Sequence, residues 1–407
     1  MSVALTFALA GAILILGFLS DYVFKKTGIP DILILLLIGI EIGPVLKLID
    51  SSVLAPLSPV FSALALVIIL FDGGLNLDIK KVVQDSPRAI LLALLCVFLS
   101  MFSIGYFARY VLGWSLLKGF LLGAIIGGTS SSIVIPLIKG ISLDEKVSTI
   151  LSLESAFTDA LVVVFGLTLL QFLTFPTEGA ELSVIVEEVA GAFSIAIVLG
   201  FAIGIIWLRI IKSFRTGKKV YTDIVTLGVV LLFYSLTEMV GGNGAIFALM
   251  FGLVLGNGIR ISKALGIKKG IEATRFMKRF ESEISFFIKT FFFVFLGLIF
   301  AVNNLITLLY SLAILALLLF GRYISVLLIS FNNKILAPHR DLMTVMMPRG
   351  LSAAVLAQIV VSSNIPGTQL FPDMILLTII YSVLISSVGI FMIKRRRKPI
   401  PLKTQGK

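Results

Sequence analysis

Apolar residues in this chain run in long unbroken blocks, with little of the alternation that marks a half-buried strand or the spaced stripe of a surface helix. Blocks of roughly 20 residues follow one another, split by short polar loops, and each is long enough to cross a bilayer as a helix. Counting them predicts about thirteen spans, near 3–24, 30–48, 57–75, 88–112, 117–138, 147–174, 184–212, 221–240, 243–258, 282–302, 304–331, 341–363 and 374–393.

Two blocks are interrupted. The fifth contains Gly127-Gly128-Thr129-Ser130-Ser131-Ser132 and then Pro136; the twelfth contains Met347-Pro348-Arg349-Gly350. Glycine frees the backbone and proline removes a donor, so neither block reads as continuous helix. Broken helix at membrane depth is tolerated only where it lines a cavity or lies buried in protein. With the seventh span as a linker, the breaks fall fifth in each of two halves, 1–6 and 8–13, which then have opposite orientation. Paired interruptions of this kind point to an inverted-repeat transporter. The expected fold is an all-α polytopic membrane protein with two discontinuous crossing helices, spans 5 and 12. One transmembrane domain covers 1–393, with a mobile core near 57–174 and 282–393 and scaffold helices near 1–48 and 184–258. Residues 394–407 form a basic tail.

Composition supports the membrane reading: 58% of the 407 residues are hydrophobic and the mean hydropathy is +1.10. The net charge of +12 would suggest a nucleic-acid partner in a soluble protein. Here the basic residues gather in alternate loops. With the N-terminus outside, Lys25 and Lys26, Lys80 and Lys81, Lys139 and Lys146, Arg215 to Lys219, Arg260 to Arg279, Lys334 and Arg340, and the tail all fall on one side. The loop with Glu178, Glu181, Glu187 and Glu188 falls on the other. The positive-inside rule then puts the C-terminus in the cytoplasm, across a cytoplasmic-type membrane, and excludes nucleic acid as the reason for the charge. The N-terminal block lacks a basic leader, which reads as a retained helix. The single cysteine, Cys96, excludes an internal disulfide and a cysteine-rich metal site. Gly-x-Ser-x-Gly and His-Glu-x-x-His are absent, so an enzyme finds no support.

The chemistry centres on the sixth span, where Glu154 and Asp159 stand in an apolar run. A charge at membrane depth costs about 2.5–3.5 kcal/mol on insertion scales and marks an ion path by default. Helical spacing puts Ser152, Ser155 and Asp159 on one face and Glu154 with Thr158 on another, the two acids roughly 140° apart. They need not share a task. Asp159 supplies charge for a dehydrated monovalent cation, Ser155 a hydroxyl, and the Thr129–Ser130 break further oxygens. The alternative for Asp159 is a buried ion pair with Arg349 or Lys289. Glu154 reads as a partner for Arg322 or Arg349, since arginine keeps its charge and presents a fork, or else as a further ligand. Lys289 reads as a snorkelling residue, Asp72 as a partner of Arg349 or a helix cap, Glu41 and Glu238 as solvated ends. His339, in a loop, makes a poor proton relay.

These residues carry a resemblance. Leu70-Phe71-Asp72-Gly73-Gly74-Leu75, Gly128 to Ser131, Leu153 to Asp159, Phe320 to Val326 and Pro348-Arg349-Gly350 are similar to motifs of the monovalent cation:proton antiporters, NhaP-type sodium/proton antiporters above all. The resemblance spans essentially the whole membrane region. It implies a thirteen-helix inverted repeat, a homodimer, and Asp159 as the carboxylate shared by cation and proton. Ser155, Thr129 and Ser130 would be further ligands, Glu154 a partner of Arg322, and Arg349 a stabiliser of the helix crossing. Two positions depart from the family pattern: Thr129-Ser130-Ser131 replaces Thr-Asp-Pro, and Thr158 stands where Asn or Asp is common. The expected function is exchange of Na+ or Li+ for H+ by alternating access, electroneutral and without a cofactor. The alternatives are K+/H+ exchange on the same scaffold, a cation channel, and an organic-anion symporter.

Overall fold

A computed structural model describes residues 3–49, 58–78, 87–141, 143–174, 182–214, 222–264, 275–300 and 305–396. The basic positions Lys80, Lys81, Arg215, Lys218, Lys219, Lys268 and Lys269, the acidic Glu178 and Glu181, and the tail from 397 onward lie outside the described residues. The regular structure among the described residues is helical: α1 (Val3–Thr27), α2 (Asp31–Ile40), α3 (Ser58–Asn76), α4 (Pro87–Val111), α5 (Leu116–Ile125), α6 (Ser131–Lys139), α7 (Glu145–Thr174) and α8 (Leu182–Phe214). There follow α9 (Thr222–Met239), α10 (Gly244–Gly256), α11 (Gly258–Ala264), α12 (Arg275–Ile299), α13 (Leu305–Ile329), α14 (Arg340–Val345), α15 (Leu351–Ser362) and α16 (Phe371–Arg396). Among the described residues, nine helices are long and apolar enough to cross a membrane.

The departures from the expected spans have local causes. Block 30–48 is α2 followed by a π-turn, Glu41–Val45, which accommodates Pro44. The span expected to start at 282 starts at Arg275, because its first turns are amphipathic: Lys278, Arg279 and Glu283 are not buried while Met277 and Glu281 turn inward. An unbroken apolar run is the wrong template for such a helix end. The last helix runs to Arg396, past the expected end at 393.

Both interrupted blocks are split. α5 ends at Ile125 and α6 begins at Ser131; α14 ends at Val345 and α15 begins at Leu351. The two breaks meet. The Ser130 N–H donates to the Pro348 carbonyl (2.8 Å), and a Cβ at Gly350 would strike the Ser130 side chain. Each break leaves backbone groups with no helical partner, and these must be satisfied inside the protein. Serines of α16 do so for the second break: Ser386 Oγ accepts from Met347 N (3.3 Å) and Ser382 Oγ, one turn away, from Arg349 N (3.0 Å).

Close packing elsewhere rests on glycine. Gly252 and Gly256 of α10 abut the backbone of α3 at Phe71 and Leu75, and Gly74 abuts α10 in return. Gly39 of α2 faces Gly297 of α12 in the same way. Such contacts drive helix association in lipid, where apolar side chains gain nothing by leaving the solvent. A leucine at Gly252 has no space. Gly252→Leu is expected to cost about 1–3 kcal/mol, as overpacked cores do, and to lower the thermal midpoint of the purified protein. An unchanged midpoint would show that the α3–α10 contact is loose.

Candidate functional site: two carboxylates at the meeting of two broken helices

Glu154 and Asp159 both rise from α7, and the angle between them sends them to different partners. Glu154 is fully buried. Its Oε1 accepts from Arg322 Nη1 (2.8 Å) and its Oε2 from Nη2 (3.2 Å), a two-pronged pair with α13. Thr129 Oγ1 also donates to Oε1 (3.0 Å). Arg322 uses its remaining donors on the Met343 carbonyl (3.0 Å), the Met346 carbonyl (3.0 Å) and Cys96 Sγ (3.3 Å). The pair therefore holds together α7, α13 and the end of α14. Arg349, equally buried, meets no carboxylate. It donates through Nη1 to the carbonyls of Gly127 (2.8 Å) and Gly128, the exposed ends of the first break. Its Nε has no partner.

Asp159 is only partly buried and has no basic partner among the described residues. Oδ2 accepts from Ser131 Oγ (2.6 Å) and Ser131 N (3.1 Å); Oδ1 accepts from Ser352 Oγ (2.9 Å). Ser131 opens α6 and Ser352 stands in the first turn of α15. The carboxylate thus sits at the N-termini of both second half-helices, where exposed N–H groups and helix dipoles favour negative charge.

Thr158 ties this site to the first break. Its hydroxyl reaches the carbonyls of Thr129 (3.2 Å) and Ser155 (3.1 Å) and accepts from Thr129 N (3.1 Å). Ser155 lies buried one turn before Asp159, its hydroxyl on the Ser152 carbonyl (3.1 Å). Ser130 Oγ shares a hydrogen bond with Ser132 (3.0 Å). Glu154, Asp159, Arg322, Arg349, Thr129, Ser130 and Ser155 thus gather around one crossing. Ser131 and Ser352, the direct partners of Asp159, were not singled out from the sequence. Their signal is position: each follows a break and begins the helix beyond it.

Other readings are corrected. Lys289 does not snorkel; it pairs with the buried Asp31 of α2 and lies over the Phe286 ring. Asp72 accepts from its own helix, at Asn76 Nδ2 (2.9 Å), rather than from Arg349. Glu238 is exposed, as expected of a solvated end, and its Oε1 also accepts from Gly244 N (2.7 Å).

A polytopic helical protein with two broken helices meeting beside a buried acid is built as a membrane transporter. Residues 11–395 match the family model described as sodium/hydrogen exchanger, transmembrane, and the chain belongs to that family of cation/proton antiporters. It is 28% identical to the K(+)/H(+) antiporter NhaP2 of Shewanella sp. (strain ANA-3), across 98% of this chain and 70% of the relative. It is 25% identical to Na(+)/H(+) antiporter 1 of Methanocaldococcus jannaschii, across 73% of this chain and 69% of that one. The solved structure of the sodium proton antiporter MjNhaP1 from that organism at pH 8 has the same fold. Its TM-score is 0.77 at 22% identity, with 97% of this chain and 99% of that chain covered.

Glu154→Gln removes the charge from one half of the buried pair and leaves Arg322 without its counter-ion. Losing one partner of such a pair costs about 3–5 kcal/mol. A thermal midpoint well below that of the parent protein is expected; an unchanged midpoint with slowed exchange would make Glu154 a ligand instead.

Proposed function

We propose that the protein exchanges Na+ or Li+ for H+ across a cytoplasmic-type membrane, one for one, with Asp159 carrying either ion. The observation that carries this reading is the contrast between the two acids. Glu154 is held by a fixed arginine, whereas Asp159 is held only by hydroxyls and one backbone N–H. A hydroxyl that donates to a carboxylate can turn and offer its oxygen to a cation. Ser131 and Ser352 therefore fit both forms of the site, and Ser155, one turn before Asp159, with the Thr129 carbonyl, bonded to the neighbouring Thr158, would supply further oxygens. A carboxylate holding a cation cannot also hold a proton, so alternating exposure of one such group yields exchange. With no second acid beside it and no basic partner, the exchange is electroneutral.

The moving body follows from the packing. The sequence placed 57–174 and 282–393 in it, yet glycine contacts lock α3 to α10 and α12 to α2. We assign α3 and α12 to the scaffold with α1, α2 and α8–α10, and α4–α7 with α13–α16 to the part that moves. The homodimeric state, and an orientation with the N-terminus outside, belong to the same reading.

The second reading is K+/H+ exchange, favoured by the NhaP2 relative, which aligns with nearly the whole chain. Reconstituted vesicles under an imposed proton gradient, given Na+, Li+ or K+ in turn, separate the two. Na+ and Li+ should dissipate the gradient, and a response to K+ alone would overturn the sodium assignment. Asp159→Asn should abolish exchange with folded yield intact; unchanged transport would reject the site. Ser352→Ala should keep the fold and raise the apparent KM for cation about tenfold, the worth of one hydrogen bond to a charged group; an unaltered KM would show that Ser352 takes no part in holding the ion.

A further inference from the structure

Glu281 is a buried acid that this exchange does not use. It lies fully buried near the start of α12, and neither carboxyl oxygen has a hydrogen-bond partner. Ser285, one turn further along, has an unpaired hydroxyl as well. Asp72 of α3 and Asp223 of α9 lie within electrostatic reach of Glu281. Lys278, three residues before it on α12, stands near Asp72. Among the described side chains, the other charges on the surrounding helices are engaged elsewhere or exposed. Asp31 of α2 pairs with Lys289, Asp21 of α1 with Lys25, Arg279 with Glu283, and Arg260 of α11 with Asp78. Glu238, at the far end of α9, is bonded to Gly244 N, and Lys26 is exposed.

An ionised carboxylate without a hydrogen bond, with two more acids nearby, is strongly disfavoured. A metal ion does not resolve this, because no three acids, histidines or cysteines among the described residues converge closely enough to hold one. A proton needs a single oxygen. A cavity lies one turn away along each helix. Asn76, the partner of Asp72, and Lys278 line a cavity of about 180 Å³ whose rim includes the partly exposed Asp78–Arg260 pair. Asp72 and Glu281 lie one turn deeper on their helices than Asn76 and Lys278. This end of α3, α9 and α12 is the one that the basic loops assign to the cytoplasm.

We propose that Glu281 is a proton-binding site separate from Asp159, reached through this cavity, and that its proton sets how closely α12 packs on α3 and α9. Loss of the proton places a negative charge opposite Asp72 and Asp223 and loosens the scaffold seam. The binding of the proton does not depend on the role of Asp159; only its effect on transport rests on the proposed exchange.

Thermal unfolding of the full chain in detergent, from about pH 5 to about pH 9, tests it. The folded chain keeps a proton that an unfolded glutamate releases over this range, so stability falls as pH rises. The midpoint should decline with pH in the parent protein and in Asp159→Asn, and the decline should flatten in Glu281→Gln. Asp72→Asn removes a like charge, so its decline should shift to lower pH by about half a unit. That variant decides the matter if Glu281→Gln does not fold. Equal slopes in the parent and Glu281→Gln, or an unmoved decline in Asp72→Asn, would overturn the site. Flattening in detergent without exchange of any cation in vesicles would leave the proton site standing and remove the transport reading alone.

Discussion

Backbone groups at the two breaks have no helical partner and sit where lipid offers none. Their mutual satisfaction is the constraint on which the rest of the site depends. The Gly127 and Gly128 carbonyls take the Arg349 guanidinium, Ser130 N–H takes the Pro348 carbonyl, and Ser382 and Ser386 take the N–H groups of Arg349 and Met347. Neither break is stable alone in a dry interior. Together they fix two half-helix starts against one carboxylate, Asp159, which is then an acid at the crossing without a fixed counter-ion among the described residues.

The pair on α7 shows how one helix can separate structure from exchange. Five residues along a helix turn a side chain to another sector, so Glu154 faces α13 while Asp159 faces α6 and α15. Arginine supplies a permanent charge and a planar fork, which suits an interaction meant to persist. Serine hydroxyls donate or accept as they rotate, which suits one meant to be exchanged. In the proposed exchange the same helix thus anchors the bundle and carries the mobile charge.

The class of fold was legible because membrane burial writes itself as unbroken apolar runs, and the breaks were legible because Gly and Pro interrupt two of them at corresponding places in the two halves. The opposed directions of Glu154 and Asp159 followed from helical period alone. What stayed hidden was hidden for physical reasons. Ser352 lies about 190 residues from Asp159, and no local pattern marks so distant a hydrogen bond. Lys289 and Asp31 are 258 residues apart, and a lysine near a helix end looks the same whether it reaches water or an acid. Glu281 fell just before the span counted from 282, in a stretch whose exposed charges masked its inward face. The glycine contacts of α3 with α10 and of α12 with α2 were not legible, since glycine in an apolar run signals close approach without saying to what.

The contact between Ser130 and Gly350 constrains both positions. The family resemblance implies an acid at position 130, where this chain has serine. Yet the side chain at 130 already fills the space that a Cβ at 350 would need. The two positions are sterically coupled, so residue size on one half of the molecule limits what the other half can hold. A larger side chain at 130 therefore requires glycine at 350, and any Cβ at 350 takes space from the side chain at 130.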